Sequence, residues 1–338
     1  MHDLGVSVGA PRIVVLAGGI GAARFLRGLL AHAALAFPAA EITVIGNTAD
    51  DIVLHGLHVC PDLDTVMYTL GGGIHPGQGW GRDGETYAVS GDLLAYGADS
   101  WFALGDRDLA THLVRTELLA GGATLSAVTA RLCERWRPGV RLLPMSDDPV
   151  QTHVTIADPD APGGVRVLHF QEYWVRLRAA PAALAVVPVG ADKASPAPGV
   201  LEAIGAADVI LLPPSNPVVS IGTILAVPGI REAIEANPRA PVVGLSPIVG
   251  GAPVRGMADK MLAAIGVETS AAAVAVHYGP ALLDGWLVDT ADSDAVEAVR
   301  AAGIGARAVP LLMRDLASTA AMAAAAFDLA DELADELA

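Results

Sequence analysis

A run of five apolar residues, Ile13-Val14-Val15-Leu16-Ala17, is followed at once by Gly18-Gly19-Ile20-Gly21 and then by a helix-compatible stretch over residues 22–34. An apolar run of strand length without polar alternation reads as a buried strand, and the glycine turn feeding a helix makes the unit β-turn-α. Comparable runs recur at residues 42–46, 142–143, 208–212, 242–248, 282–288 and 306–312, with helical stretches between them. Alternation of this kind builds a parallel sheet, so the fold class is α/β. With 338 residues, 53% of them hydrophobic, the chain has core material for one large α/β domain or two average ones. It shows no internal repeat of about 20–50 residues, which argues against a repeat architecture.

The glycine turn has two readings. Glycines let a backbone approach a ligand, and the free amides at a helix N-terminus attract an anion such as phosphate. The alternative is a turn that only packs helix on strand. A dinucleotide fingerprint would place a third glycine where Arg24 stands and an acidic residue at the end of the second strand, where this chain has Gly46-Asn47. A phosphate-binding loop of the Walker type needs a lysine after the glycines, and the first lysine here is Lys193. What remains is a phosphate-bearing ligand of another kind.

Asp50, Asp51, Asp62 and Asp64 crowd into residues 50–64. Like charges held together resist ionisation unless a cation or a buried proton compensates. Hard oxygen ligands at the end of a parallel strand suit Mg²⁺ or Mn²⁺, which in turn bind phosphates. A solvated acidic loop with turn-forming Asn and Asp is the alternative. The net charge of −16 disfavours nucleic acid and anionic membranes as partners, so any anionic substrate must be met locally. Arg24, Arg82 and Arg107 are the leading candidates for that task, because arginine binds oxyanions bidentately. With Lys193 and Lys260 the only lysines, Schiff-base chemistry is disfavoured. Cys60 and Cys133 are too few for a disulfide framework or a zinc cluster, which points to a reducing compartment. No leader-like opening and no spanning apolar run is present, so a cytoplasmic location is expected.

Further along, residues 70–82 form a glycine-dense loop carrying Trp80 and Arg82, suited to closing over a planar ring and a phosphate or simply to connecting elements. Asp106 or Asp108 is placed to cap a helix that carries Leu109, Leu113 and Leu118 and stops at Gly121-Gly122, with His112 and Arg115 on a shared face. Another helix is expected over 124–136, and a second Asp-Asp pair, Asp147-Asp148, follows the next strand. Residues 151–188 read as an inserted β-rich segment with strands at 152–157 and 165–170, then a short helix. There His169, Glu172 and Trp174 either reach the site or belong to a surface hairpin with a core tryptophan. Residues 191–199 read as a surface connector, Ser215-Asn216-Pro217 as a helix start that also offers an oxyanion cradle, and 317–337 as a terminal helix packing outside.

The glycine turn, residues 47–51, Pro61-Asp62-Leu63-Asp64-Thr65, Leu104-Gly105-Asp106-Arg107-Asp108 with Ala110-Thr111-His112, residues 143–148, His169-Phe170-Gln171 and Pro214-Ser215-Asn216-Pro217 together resemble the phospholactate transferase family, over residues 12–315. The resemblance implies a doubly wound, mostly parallel Rossmann-like sheet built from residues 12–150 and 200–315, with a smaller β-containing insertion at 151–199 and a C-terminal helix at 316–338. It implies an enzyme of coenzyme F-420 biosynthesis. Such an enzyme transfers a phosphoenolpyruvyl or 2-phospholactyl group from enolpyruvyl- or lactyl-diphospho-5'-guanosine to the ribityl hydroxyl of the deazaflavin Fo, releases GMP, and forms dehydro-coenzyme F-420-0 or coenzyme F-420-0.

Mg²⁺ is the implied cofactor, with Asp51 and Asp64 as metal ligands and catalytic residues, Asp62 as a third catalytic residue and Asp50 as a helper. Gly18, Gly19, Gly21, Asn47, Asp50, Trp80, Arg107, Thr111, Ser215 and Asn216 are the implied substrate-binding residues, and a homodimer the implied assembly. The chain departs from some relatives at Ala103, where they carry a lysine that touches the deazaflavin; Trp101 or Trp80 would have to supply that contact here. A nucleotide-sugar-binding regulator of the same fold is the alternative function, and it has less need of the aspartate set. A nicotinamide-dependent oxidoreductase is disfavoured by Arg24 and Asn47.

Overall fold

The computed structural model describes residues 10–99 and 101–337. Residues 1–9, which bear on the expectation that no leader opens the chain, lie outside that range. Seven strands form the central sheet: β1 (Arg12–Ala17), β2 (Glu41–Gly46), β3 (Arg141–Pro144), β4 (Val209–Leu212), β5 (Val242–Leu245), β6 (Gly285–Val288) and β7 (Gly305–Ala308). Their spatial order is β7-β6-β5-β4-β1-β2-β3. Every neighbouring pair is parallel. The chain runs outward from β1 through β2 to one edge, then returns to β4 and runs to the other. The gap between β1 and β4 is therefore the topological switch point, beyond whose carboxyl ends α/β proteins hold their ligands.

Both faces of the sheet are covered, as the unbroken apolar strands require. Ile13, Val15 and Ala17 pack on one side against helix α1 (Gly19–Ala36) and the C-terminal helix Leu316–Leu337. Val14 and Leu16 point to the other side, into helices of the second half of the chain. The terminal helix is no outer decoration. Met322, Ala323, Ala326, Phe327 and Ala330 are buried, and a Cβ on Gly28 of α1 would lie 2.5 Å from Thr319. Alanine spacing that looks solvent-facing in sequence is what lets the two helices approach so closely.

The inserted segment is a three-stranded antiparallel sheet with Gln151–Ala157 in the middle, flanked by Val165–His169 and Ala183–Val189. The third strand lies outside the sequence expectation, since its alanines and Pro188 weaken the strand signal. Its core aromatic is Tyr173, fully buried, while Trp174 is 40% exposed, so the expected core tryptophan is a tyrosine one position earlier. Val154, Ile156, Leu168 and Phe170 of this sheet pack on Val219, Met257 and Met261, which seats the insertion beside the carboxyl end of β4. The expected surface connector at 191–199 is instead packed in. Ala191, Ala194 and Ala197 are buried, and Ser195 is pinned through its N–H to Asp148 Oδ2 (2.8 Å) and through its carbonyl by Ser146 Oγ (2.7 Å).

Candidate active site

Beyond Gly46 the chain turns through residues 47–51 and makes a short hairpin, Ile52–Leu54 with Leu57–Val59, before helix α2 (Pro61–Leu70). The hairpin returns the chain to the end of β2, so α2 starts beside the turn. Pro61 opens the helix and Asp62 and Asp64 occupy its first turn, where the helix dipole favours carboxylates. The second pair of aspartates thus belongs to a helix N-terminus rather than to a strand end. Both side chains are buried, as is Asp50, while Asp51 is part-buried.

Asn47 organises this end of the sheet. Its Nδ2 donates to Asp62 Oδ2 (2.9 Å) and to the Val219 carbonyl (3.2 Å), and its Oδ1 accepts from the Ala49 amide (3.0 Å) and Thr223 Oγ1 (2.8 Å). Asp62 is thereby aimed at the start of α1, with its Oδ1 4.0 Å from where a Cβ of Gly19 would sit. Burial raises its carboxyl to about 6, against the opposing pull of Asn47 and of the Gly19 amide. A carboxylate already stands where an anion would meet the helix. Gly18 and Gly21 bring the turns after β1 and β4 together: Ser215 Oγ donates to the Gly18 carbonyl (2.9 Å), and a Cβ on Gly21 would lie 2.3 Å from the Pro214 oxygen. Gly19 has φ +70°, the left-handed region that glycine enters without strain.

Asp64 faces a buried cation. Arg115 of helix α4 (Asp106–Ala120), 1% exposed, binds Asp64 Oδ1 through Nη2 and approaches His112 Nδ1 (3.2 Å) and the His58 carbonyl (3.3 Å) through Nη1. His112 in turn lies 3.8 Å from Asp64 Oδ2 and 3.3 Å from Asp108 Oδ2, and Tyr68 donates to Asp108 Oδ1 (2.6 Å). Burial raises the Asp64 carboxyl above its ordinary value, with Arg115 and His112 holding it back. Burial likewise pushes Asp51 well up, opposed by Cys60 and Arg115 and reinforced by Asp64 and Asp62. Asp50 is raised by burial and by its neighbour Asp62.

The sequence of residues 13–321 matches the family described as 2-phospho-L-lactate transferase CofD. This chain belongs to that family. A phosphoenolpyruvate transferase of Kitasatospora aureofaciens is 69% identical over 323 residues, covering 95% of this chain and 98% of the relative. That of Streptomyces coelicolor is also 69% identical over 323 residues (95% and 99%), and that of Mycolicibacterium smegmatis 53% over 329 (94% and 98%). A crystal structure of a upf0052 family member from Bacillus halodurans shares the fold, with a TM-score of 0.60 and 19% identity over 94% of this chain and all of that one. The chain is an enzyme, a transferase of phosphoenolpyruvate or 2-phospholactate groups in coenzyme F-420 biosynthesis. No helix among its described residues is long and apolar enough to cross a membrane.

In the transferase Asp62 meets Asn47, Gly18 and Gly19 at the switch point, where Ser215 joins Gly18, and Asp50, Asp51 and Asp64 lie near enough for their charges to act on one another or on Asp62. Several carboxylate oxygens there are enclosed and have no hydrogen-bond partner: Asp50 Oδ1, Asp51 Oδ1 and Asp64 Oδ2. Arg115 binds Asp64 and its charge also reaches Asp51, while bare carboxylate oxygens of this kind fit a hard divalent cation. Among the described residues the three ligand atoms that come within 4.8 Å of one another are instead those of Asp64, Asp108 and His112, a grouping that sequence spacing does not bring together and that shares only Asp64 with the aspartates of residues 50–64. Arg115 already supplies a cation to that group, which makes it an ion-pair network supporting Asp64 as it stands.

Other expected residues sit farther from this centre or are fully engaged. Asn216 caps the helix after β4, its Oδ1 accepting from Val218 (3.0 Å) and Val219 (3.2 Å), while Ser215 serves the Gly18 contact and not a cap. Thr111 is buried in α4 and lines a cleft toward Trp136 that includes none of the aspartates. Trp80 is 44% exposed on a loop that crosses the start of α1, where a Cβ at Gly79 would lie 3.0 Å from Ile20. Arg107 is exposed, and neither Asp106 nor Asp108 caps α4. Glu85 does, accepting from the Arg107 and Asp108 amides (2.8 Å each), while Asp106 accepts from the first amides of helix α3 (Ala88–Ala95). Arg82 is stacked 4.9 Å from the Trp136 ring and Arg24 is bound to the Met313 carbonyl (3.1 Å). Asp147 accepts from Ser126 N (2.6 Å) near the start of helix α5 (Leu125–Trp136), so the second Asp-Asp pair is structural.

Proposed function

We propose that this transferase moves the phosphoenolpyruvyl group of enolpyruvyl-diphospho-5'-guanosine to the ribityl hydroxyl of Fo. In balance, the ribityl oxygen bonds to the phosphorus that carries the three-carbon group, the bond from that phosphorus to the bridging oxygen breaks, and GMP leaves with that oxygen. The hydroxyl proton passes to a carboxylate. The observation that carries this reading is the set of enclosed, unpartnered carboxylate oxygens at the switch point of a chain 69% identical to phosphoenolpyruvate transferases. The names of those relatives favour the enolpyruvyl donor over the lactyl one.

Asp51 and Asp64 would hold Mg²⁺, which when bound neutralises charge that develops on the diphosphate. The protein's own part is positioning and proton handling. Arg115 and Asn47 fix the carboxylates, and with the Gly19 amide already answered by Asp62, Gly18, Gly19 and Gly21 serve the site by the close approach of the β1 and β4 turns that they allow. Asp62, with its carboxyl near 6, is suited to take the hydroxyl proton at neutral pH. Trp80 and Arg107, on the loop side, contact the deazaflavin or the guanosine phosphate. A homodimer is the proposed assembly, supported by family likeness and tested by light scattering. Incubation with Fo, Mg²⁺ and each guanosine-linked donor, followed by mass spectrometry, should yield a phosphodiester of Fo and GMP. If neither donor gave that diester while UDP-sugars bound tightly, the regulator of the same fold would replace the transferase reading.

A further inference from the structure

The inserted sheet grips the Asp50-Asp51 turn by its backbone. Three consecutive carbonyls of the turn each accept a hydrogen bond from this segment: Ala49 O from the Thr152 amide (2.6 Å), Asp50 O from Gln171 Nε2 (3.3 Å) and Asp51 O from His169 Nε2 (3.1 Å). His169 can serve only as the tautomer protonated on Nε2, because its Nδ1 accepts from the Gln171 amide (3.1 Å). From inside, Asn47 Oδ1 takes the Ala49 amide (3.0 Å), and the Asp51 amide reaches the Thr48 carbonyl (3.2 Å). These five hydrogen bonds hold the turn from both sides. With its carbonyls held toward the insertion, Asp50 and Asp51 keep Oδ1 atoms that nothing else binds.

We propose that His169 and Gln171 are positioning residues for the transfer, a clamp by which the inserted sheet fixes the direction of the Asp51 carboxylate. The proposal rests on the reading of Asp51 as a metal ligand. In this role both side chains act through the backbone carbonyls of the turn. The insertion is then not a decoration of the Rossmann-like core but its third wall, held in place by the contact of Val154, Leu168 and Phe170 with Val219 and Met261. Partners that orient metal ligands are typically worth ~10–100-fold in metal affinity or activity, and that is the effect expected of the clamp.

The test uses the full chain and Mn²⁺ as the probe, titrated by electron paramagnetic resonance without substrate, together with amide exchange of the peptide over residues 46–60. His169→Ala and Gln171→Ala should each weaken Mn²⁺ binding ~10-fold or more, speed exchange in that peptide, and lower kcat with little change in KM for Fo. His169→Gln, whose amide nitrogen can reach the place of Nε2, should recover most of the loss. Arg166→Ala, which breaks an exposed pair with Asp158 on the same sheet, should change none of these. If His169→Ala fails to fold, Gln171→Ala carries the same comparison. Folded variants with unchanged Mn²⁺ affinity, exchange and kcat would overturn the clamp. Failure of the wild-type chain itself to bind Mn²⁺ would be a different result, removing the metal reading and the clamp's role with it.

Discussion

Arg115 offers the sharpest perturbation of the site. It is 1% exposed, and its guanidinium is the charge partner of Asp64. Arg115→Met keeps most of the buried volume but leaves the desolvated Asp64 carboxylate without its guanidinium, with His112 at 3.8 Å as the neighbour that remains, and breaking a buried pair typically costs about 3–5 kcal/mol. At roughly 2 °C per kcal/mol for a large domain, the melting temperature should fall by roughly 6–10 °C. The loss should depend on pH in a definite direction. Burial already raises the folded-state Asp64 carboxyl above its unfolded value, so the stability it contributes is present below the unfolded value and is lost as pH rises through the folded one. Arg115 opposes that rise. Without it the folded value moves further up and the loss extends to higher pH, so the variant should be penalised least near about pH 5 and most near about pH 8. Urea or thermal melts of metal-free protein at both pH values measure this. In an Asp64→Asn background the same substitution should cost less, by a coupling of about 0.5–3 kcal/mol. A penalty equal at both pH values, or undiminished in the Asp64→Asn background, would refute the pairing as the source of the effect.

Two other outcomes follow from the same geometry. Asp51→Asn replaces a carboxyl that burial pushes well up, so metal-free protein should melt no lower than wild type at neutral pH, while turnover falls at least ~10²-fold; full activity of the folded variant would end the assignment of Asp51 as a ligand. Gly21→Ala would push a methyl to 2.3 Å from the Pro214 carbonyl, against backbone that cannot yield cheaply, and should destabilise by about 1–3 kcal/mol in a denaturant titration. A silent Gly21→Ala would mean that the β1 and β4 turns are looser than their contact implies.

Much of the fold is legible because buried parallel strands are written as unbroken apolar runs. Ile13 to Ala17 and Val209 to Leu212 could hardly be anything else, and the glycines after β1 mark the turn at which the sheet opens. The hairpin of residues 52–59 and the strand Ala183–Val189 are not legible in this way, because short or alanine-rich strands carry little periodicity. Capping departs from the sequence expectation for a physical reason too. Asp106 has a good capping side chain, but a cap can come from anywhere in space, and here Glu85 reaches α4 while Asp106 serves α3.

The sequence by itself determined the α/β class, the crowding of Asp50, Asp51, Asp62 and Asp64, and the family, since these rest on local apolar patterning and on ordered motifs that survive without coordinates. Only the tertiary structure decided which cation answers which carboxylate. Arg115 meets Asp64 across 51 positions, Asn47 ties Asp62 to the helix after β4, and His169 and Gln171 reach back 118 and 121 positions to the acidic turn. Such partners are chosen by distance in space inside a low-dielectric interior, where an unpaired charge or carbonyl is costly. Separation along the chain carries no information about that distance.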